Sequence, residues 1–365
     1  MKVLEITNVD FSLRQFLLPL MRGIRGRGHQ VIGVCADGPL LAIPRSEGFR
    51  IETIPFVRNL SPLGNFRAFL ALRRLILAEA PDLVHAHTPI SGFLARLASW
   101  SLGIRPIAYT CHGYIFNQGG SLARRALGLL MEWLGGRMTD IYLAVSSEDA
   151  TDARRLHIHK NPIAIGNGRD PHVFRPNPTA RAAIRQSLGV SEDRIVIVIV
   201  SRVVADKGFF ELLAAMRDVP AELWVVGERL ASDRGPDLEP AFAALPPGTI
   251  RRLGYREDVA DILATSDIFV LPSHFEALPM SVIEAMLTGL PVVATSVRGP
   301  REQVVDGQTG LLVPLFDIPA LGAALTRLAT DASLRARLGA AGRARAVGHY
   351  DEARVVARTL DLLGL

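Results

Sequence analysis

Asp267-Ile268-Phe269-Val270-Leu271-Pro272-Ser273-His274-Phe275-Glu276-Ala277-Leu278-Pro279-Met280-Ser281-Val282-Ile283-Glu284 reads as an apolar strand, a short polar loop and the opening of a helix. Pro279 suits the first helical position, where its missing N–H is no loss. Glu276 then sits in the loop and Glu284 a turn or so into the helix. Helix-start amides, here at residues 278 to 281, have no intrahelical acceptor and favour an anion such as a diphosphate. Two carboxylates bordering such a site point to hydroxyl recognition rather than charge pairing.

The same unit recurs outward in both directions. Towards the N-terminus, short β-branched runs alternate with helix-length amphipathic segments: Val3-Leu4-Glu5-Ile6, Val31-Ile32-Gly33-Val34, Leu83-Val84-His85-Ala86-His87, Ile107-Ala108-Tyr109-Thr110, Ile141-Tyr142-Leu143-Ala144-Val145 and Pro162-Ile163-Ala164-Ile165. This is a parallel α/β pattern. After Asn167-Gly168-Arg169-Asp170-Pro171 and Arg175-Pro176-Asn177-Pro178 the alternation restarts with Ile195-Val196-Ile197-Val198-Ile199-Val200, then Leu223 to Val226, Ile268 to Leu271 and Pro291 to Ala294. A linker is expected near 170–178, with domains over 1–172 and 173–350 and a C-terminal helix within 351–365 returning to the first. Two doubly wound domains facing a central cleft follow, with ligands beyond the carboxyl ends of the strands. No Gly-x-Gly-x-x-Gly follows the first strand of either half, which disfavours a nicotinamide enzyme.

A chain of 365 residues with 49% hydrophobic content can bury the cores of two domains. No apolar run approaches the roughly 18 residues of a membrane span. The start, Met1 to Asp10, carries acids where a signal peptide needs an apolar core, so a cytoplasmic protein is expected. Cys35 and Cys111 lie in separate strands without metal-ligand spacing and are expected as free buried thiols. The net charge of +5 is uneven, +8 over residues 1–175 and −3 over the remainder. The basic half suits an anionic partner or is a solvated, arginine-rich surface. Nucleic acid is not expected, for want of any recognisable binding motif.

Candidate chemistry falls at strand ends. Ser201-Arg202-Val203-Val204-Ala205-Asp206-Lys207-Gly208 brings two cations suited to a diphosphate, or a surface pair such as Lys207 with Glu211. Gly254, before Tyr255, would let the backbone approach a nucleobase or simply make a turn; Gly227-Glu228 is similarly ambiguous. Thr110-Cys111-His112-Gly113 closes a strand, where His112 could bond a sugar hydroxyl or be structural. His85 and His87 are read as facing opposite sides of their strand, with no third ligand, so no metal site is expected there. Asn8, Asp10 and Ser12 close the first strand, where Asn8 or Ser12 could cap the next helix.

In this order the paired glutamates, the Arg202/Lys207 pair, Thr110-Cys111-His112-Gly113 and Gly166-Asn167-Gly168-Arg169-Asp170 resemble the family 4 glycosyltransferases, over nearly the whole chain. The most specific match is the Glu-x7-Glu motif from Glu276 to Glu284, supported by Leu253-Gly254-Tyr255, Ala294-Thr295 and Gly307 to Val313. Within the family, Ile6 to Asp10, Phe16 to Leu20, His87-Thr88-Pro89 and Glu132 to Asp140 resemble exopolysaccharide and O-antigen transferases, which often extend undecaprenyl-diphosphate-linked sugars. The resemblance implies a GT-B fold of two Rossmann-like domains and a retaining transferase using a nucleotide-sugar, by family frequency a UDP-sugar, with a glycan or lipid-linked glycan acceptor. It assigns Arg202 and Lys207 to the diphosphate, Glu284 to the ribose, Glu276 and His112 to the transferred sugar, the amides of Ala277, Leu278, Pro279 and Met280 to the phosphate and sugar site, and Gly254 and Tyr255 to the base. Many relatives carry Gly-Gly in the first loop; here Asn8-Val9-Asp10-Phe11-Ser12 takes its place, as an acceptor-side or first-loop candidate. No Asp-x-Asp occurs, so no metal or other cofactor is expected.

Arg124-Arg125 with Leu127, Leu129, Leu130, Met131, Trp133 and Leu134, and Arg22, Arg25 and Arg27, suggest peripheral contact with an anionic membrane. The alternative for the Trp133 segment is a helix whose apolar face packs on the sheet. Other readings of the whole chain are a GT-B-fold sugar-nucleotide epimerase, a glycogen-type synthase, or a catalytically silent nucleotide-binding subunit of a polysaccharide assembly.

Overall fold

The computed structural model describes residues 1–57, 61–230, 233 and 235–365. The chain forms two compact units, Met1–Gly166 with Ala353–Leu365, and Asn167–Glu352. In the first, β1 (Lys2–Ile6), β2 (Gln30–Cys35), β3 (Arg50–Thr53), β4 (Leu83–His87), β5 (Ile107–Cys111), β6 (Ile141–Ala144) and β7 (Ile163–Ala164) form one parallel sheet in the order β3-β2-β1-β4-β5-β6-β7. The apolar runs are continuous because both faces are covered. Leu4, Ile6, Val84 and Ala86 enter one core with Leu72 and Ala95, while Val3, Leu83, Ala108 and Leu143 enter the other with Met21 and Ile24. The edge strand β3, Arg50-Ile51-Glu52-Thr53, has no apolar run and escaped the sequence reading.

In the second unit β8 (Val196–Val200), β9 (Glu222–Val226), β10 (Ile250–Gly254), β11 (Ile268–Leu271), β12 (Val292–Thr295) and β13 (Gly310–Val313) make a parallel sheet in the order β10-β9-β8-β11-β12-β13. Reversal of the strand order at β8 places β8 beside β11, and the loops after these two strands carry most of the candidate residues.

The expected linker near 170–178 begins earlier, because residues from Asn167 onward are tied into the second unit. Asn167 Nδ2 donates to the Leu278 carbonyl at 2.8 Å, and Arg169 N to that of Tyr350 at 3.0 Å. The C-terminal helix Glu352–Leu363 belongs to the first unit, burying Leu360 and Leu363 beside Leu18 and Ile24. Gly23 makes room for it: a Cβ there would stand 2.6 Å from Val356 Cγ1.

The helix Leu122–Arg137 is built the opposite way from the sheet-packed alternative. Most of its apolar side chains face outward, Leu122 at 80% exposure and Leu130 at 50%, with Leu127, Trp133 and Leu134 also exposed, while Leu129 packs against the core. Its buried residues are Gly128, Glu132, Gly135 and Gly136. Bare helix backbone lies so close to its neighbours that a Cβ at Gly136 would stand 2.0 Å from the Ile158 carbonyl oxygen, and one at Gly135 2.5 Å from Arg96 Cζ. The fully buried Arg96 donates to Glu132 Oε2 at 3.1 Å, and Tyr109 Oη donates to Glu132 Oε1 at 2.9 Å. Among the described residues no helix is long and apolar enough to cross a membrane.

Removing one partner of a buried ion pair strands the other charge. Glu132→Ala is therefore expected to lower the unfolding free energy by about 3–5 kcal/mol in chemical denaturation. Leu130→Ala, at an exposed position of the same helix, should stay within about 0.5 kcal/mol.

Candidate functional site

Lys207 and Glu276 follow adjacent strands of the second sheet and meet, Nζ to Oε1, at 2.5 Å. The chain after β8 turns through Ala205–Lys207 into Gly208, whose φ is +75°. A Cβ at Gly208 would stand 2.0 Å from the Pro272 carbonyl oxygen, so only glycine lets the two loops approach this closely. His274 N donates to the Asp206 carbonyl at 2.9 Å, a direct tie between them.

The Glu276 loop is held from further sides. Thr295 Oγ1 donates to the Ser273 carbonyl at 2.5 Å, Gln303 Nε2 to that of Pro279 at 2.9 Å, and Asn167 to that of Leu278. Among the described residues no protein acceptor takes the amides of Glu276, Ala277, Leu278 or Met280. The helix runs Met280–Thr288 with Pro279 as its extended N-cap rather than its first residue, which moves the unpaired helix-start amides one place along, to 280–282.

Both acids of the Glu-x7-Glu stretch are charge-paired, contrary to the expectation of hydroxyl recognition alone. Glu284 is buried and accepts from Arg169 Nε at 2.6 Å, while Glu276 takes Lys207. A carboxylate removed from water needs such a partner. Lys207 does not pair with Glu211, which instead faces His274 Nε2 at 3.0 Å. Arg202, about half exposed, pairs with Asp233.

A cavity of about 270 Å³ opens beside these loops, lined by Val203, Gly227, Glu228, Leu238, Arg252 and Gly254 among others. Gly254 lies where the β9–β10 register shifts. Tyr255 is not part of the lining and is largely exposed.

In the first unit His112 follows β5 and keeps part of its surface exposed. Its Nε2 lies 3.1 Å from His87 Nδ1. Behind it, His87 Nε2 meets Glu5 Oε2 at 2.8 Å, Glu5 Oε1 meets His85 Nδ1 at 2.9 Å, and His85 Nε2 meets Thr110 Oγ1 at 2.8 Å. The expectation that His85 and His87 face opposite sides is therefore corrected: residues two apart on a strand share a face, and both imidazoles point at Glu5 from the neighbouring strand β1. These three side chains are the one cluster among the described residues with metal-ligand geometry, though their atoms are within hydrogen-bonding distance of one another.

Burial alone would raise the Glu5 carboxyl, but attraction to His85 and hydrogen bonds from both imidazoles outweigh it and hold Glu5 at about 2. Burial, with His85 nearby, lowers His87 to about 4, and burial with His87 and His85 lowers His112 to about 3. Neither Asn8 nor Ser12 caps the helix that begins at Asp10; its N-cap is Val9, without a side-chain bond. Asp10 is committed to the backbone amides of Phe11 and Leu40, and Asn8 Oδ1 is buried without a partner among the described residues. Past Asp10–Ser12 the helix widens into a π-turn over Leu13–Leu17, which presents Phe16 to His112 with ring centroids 5.9 Å apart. Cys35 and Cys111 are free and buried, burial pushing the Cys35 thiol up to about 12.

Sequence reasoning missed Glu5 and Gln303, and assigned no roles to Phe16, Asn167, Arg169 and Thr295. An acid inside an otherwise apolar strand was the available signal for Glu5. The contacts of Gln303, 24 residues from Pro279, leave no local pattern.

Residues 15–173 match the model described as Glycosyltransferase Family 4, and residues 180–345 that described as Glycosyl transferases group 1. The chain is 27% identical to the Escherichia coli UDP-Gal:alpha-D-GlcNAc-diphosphoundecaprenol alpha-1,3-galactosyltransferase, over 82% of this chain and 79% of that protein. It is 27% identical to the capsular polysaccharide biosynthesis glycosyltransferase CapM of Staphylococcus aureus, over 94% and 92% of the two. The crystal structure of Anabaena HepE in complex with UDP and glucose superposes with a TM-score of 0.84 at 21% identity, covering 100% of this chain and 99% of that one.

Glu5, His87 and His112 all lie below their ordinary values of 4.5, 6.5 and 6.5, so at acid pH the unfolded chain binds more protons than the folded one. Their contribution to stability is complete above about pH 6.5. It declines as the pH falls towards the folded values, first for the histidines and then, below about pH 4.5, for Glu5. Urea midpoints should drop between about pH 7.5 and pH 5, and an unchanged midpoint would contradict these protonation states.

Proposed function

The chain is a family 4 glycosyltransferase of GT-B fold, and from that premise we propose that it is a retaining enzyme of surface polysaccharide biosynthesis. It moves a hexosyl or N-acetylhexosaminyl group from a UDP-sugar to a polyprenyl-diphosphate-linked glycan. The observation that carries the reading is the meeting of Lys207 with Glu276 under a loop of unpaired amides. The UDP of the HepE structure and the UDP-Gal and undecaprenol-linked acceptor named for the E. coli relative support the choice of substrates.

In this reading Arg202 and Lys207 leave Asp233 and Glu276 for the donor diphosphate, joined by the amides of Ala277, Leu278 and Met280. Negative charge builds on the departing phosphate oxygens, and fixed cations stabilise it more than they do the ground state. No metal is assigned, because those two cations meet the diphosphate charge. Glu276, released from Lys207, accepts hydroxyls of the transferred sugar, and Glu284, kept anionic beside Arg169, those of the ribose. The base lies in the cavity at Gly254, with Tyr255 at its margin. His112 bonds the transferred sugar. The acceptor hydroxyl attacks on the side the diphosphate leaves, and the leaving phosphate oxygen takes its proton, so configuration is retained. Of the first loop, Asn8 remains for acceptor or phosphate, since Asp10 is occupied by backbone amides.

The outward apolar stripe of the helix Leu122–Arg137, with exposed Arg124, Arg125 and Arg137, is proposed to rest on an anionic leaflet where the lipid-linked acceptor resides. Each basic residue near such a surface adds about 1 kcal/mol, and the leucines and Trp133 add apolar burial.

Lys207→Ala and Glu284→Ala should each weaken donor binding by about 1.5–3 kcal/mol in calorimetry of folded protein. A panel of UDP-, GDP- and ADP-sugars, with and without membrane lipid extract, identifies the donor by nucleoside diphosphate release. Release that requires the extract supports the lipid-linked acceptor. Isomerised nucleotide-sugar without acceptor would favour an epimerase, and binding without any turnover a silent subunit. In co-sedimentation with phosphatidylglycerol vesicles, salt-sensitive binding should fall when Arg124 and Arg125 are replaced by Gln, and its absence in the parent protein would remove the membrane contact.

A further inference from the structure

The chain of contacts behind His112 has a direction. A carboxylate only accepts hydrogen bonds, so both nitrogens that touch Glu5, His85 Nδ1 and His87 Nε2, carry hydrogen. Glu5, His85 and His87 are almost completely buried, so no water substitutes for these partners. His87, neutral in this setting, has one hydrogen and has already directed it to Glu5. Its Nδ1 is therefore a bare lone pair, and the group 3.1 Å away, His112 Nε2, is the donor. His112, also neutral, is left with a bare Nδ1.

We propose that Glu5 and His87 are positioning residues that lock His112 in its Nε2–H tautomer, so that Nδ1, its free nitrogen, can only accept a hydrogen bond. The polarity starts at an anion on β1, crosses to β4 and reaches the residue after β5, and all three strands are adjacent in the sheet. Phe16, against the His112 ring, limits its rotation from the other side.

What this means for substrate rests on the transferase reading above. A nitrogen that only accepts selects a hydroxyl on the sugar it faces. It is mismatched to a carboxylate or an alkylated oxygen, which bring lone pairs and no hydrogen. The donor is then a neutral hexose or N-acetylhexosamine with a free hydroxyl at that position, and not a uronate bearing its carboxylate there. A histidine held this way also has no proton to give, which removes it as a general acid.

A metal ion is the competing explanation for two histidines and a glutamate together. The contacts of 2.8 and 2.9 Å run from separate carboxylate oxygens to separate imidazoles. Ligand atoms sharing a zinc at bonds of about 2.0–2.2 Å stand farther apart than that.

The test needs no sugar, so it stands or falls apart from the transferase reading. Full-length protein labelled with [15N]histidine is studied by long-range nitrogen–proton NMR near pH 7.5, with His112 assigned by its loss in His112→Gln. The expected result is a protonated Nε2 and a bare Nδ1 on His112. In Glu5→Gln, whose amide can donate as well as accept, and in His87→Phe, which removes the acceptor, His112 should shift to a tautomer mixture or to the Nδ1–H form. An Nδ1–H tautomer in the parent protein overturns the proposal, as does an unchanged His112 signal in either variant when folded. If neither variant folds, the parent spectrum alone decides. One equivalent of transition metal retained by purified protein, by mass spectrometry, also overturns it, because metal-bound nitrogens carry no hydrogen.

Discussion

The 2.5 Å pair of Lys207 with Glu276 exists because two loops lie closer than a side chain would allow. Gly208 has no Cβ where one would strike the Pro272 carbonyl, and that contact brings the cation after β8 against the acid after β11. The remaining ties act on the same loop: Thr295 on Ser273, Asn167 on Leu278, Gln303 on Pro279. Each consumes a carbonyl oxygen and none consumes an amide of Glu276, Ala277 or Leu278. The result is a row of unpaired N–H donors beside Lys207, in place before any ligand arrives. Such preorganisation favours a state in which negative charge is still growing over one in which it is not.

The same arrangement explains why the acids are paired. A cation without a counter-charge is costly where water is scarce, and buried carboxylates without partners would take up protons. Asp233, Glu276 and Glu284 each hold one of the cations. In the proposed reading a diphosphate exchanges partners with Arg202 and Lys207 rather than creating charge in a dry pocket. On that reading Asp233 and Glu276 are released as anions, Glu276 for hydroxyl recognition, while Glu284 stays beside Arg169. Charge pairing and hydroxyl binding are, on that reading, two states of Glu276, which sequence reasoning treated as alternatives.

Most strands were legible because a parallel sheet covered on both faces writes continuous apolar runs, as in Ile195 to Val200. The edge strand β3 was not, since an edge has one neighbour and its Arg50 and Glu52 can face water. Glu276 and Glu284 were legible because they lie on one strand–loop–helix unit. Their partners were not: Lys207 is 69 residues from Glu276, and Arg169 is 115 from Glu284. The Trp133 helix misled for a physical reason. An apolar stripe is ordinarily the buried one, but here Gly128, Gly135 and Gly136 let the backbone itself pack, and Leu122, Leu127, Leu130 and Leu134 were left outside.

Two of the first unit's buried carboxylates, Glu132 and Glu5, are neutralised by different means. Glu132 meets Arg96, a cation at any pH the fold survives, together with the hydroxyl of Tyr109. That arrangement anchors a helix, and the guanidinium, a donor at every nitrogen, has no second state to pass on. Glu5 meets two imidazoles, each with a second nitrogen whose state is set by the first. An imidazole between two partners passes polarity on, which arginine and lysine cannot do. Replacing His87 by a permanent cation would satisfy Glu5 equally well and would present a donor, not an acceptor, to His112. The choice of histidine at 87 follows from what lies beyond it, not from what Glu5 requires.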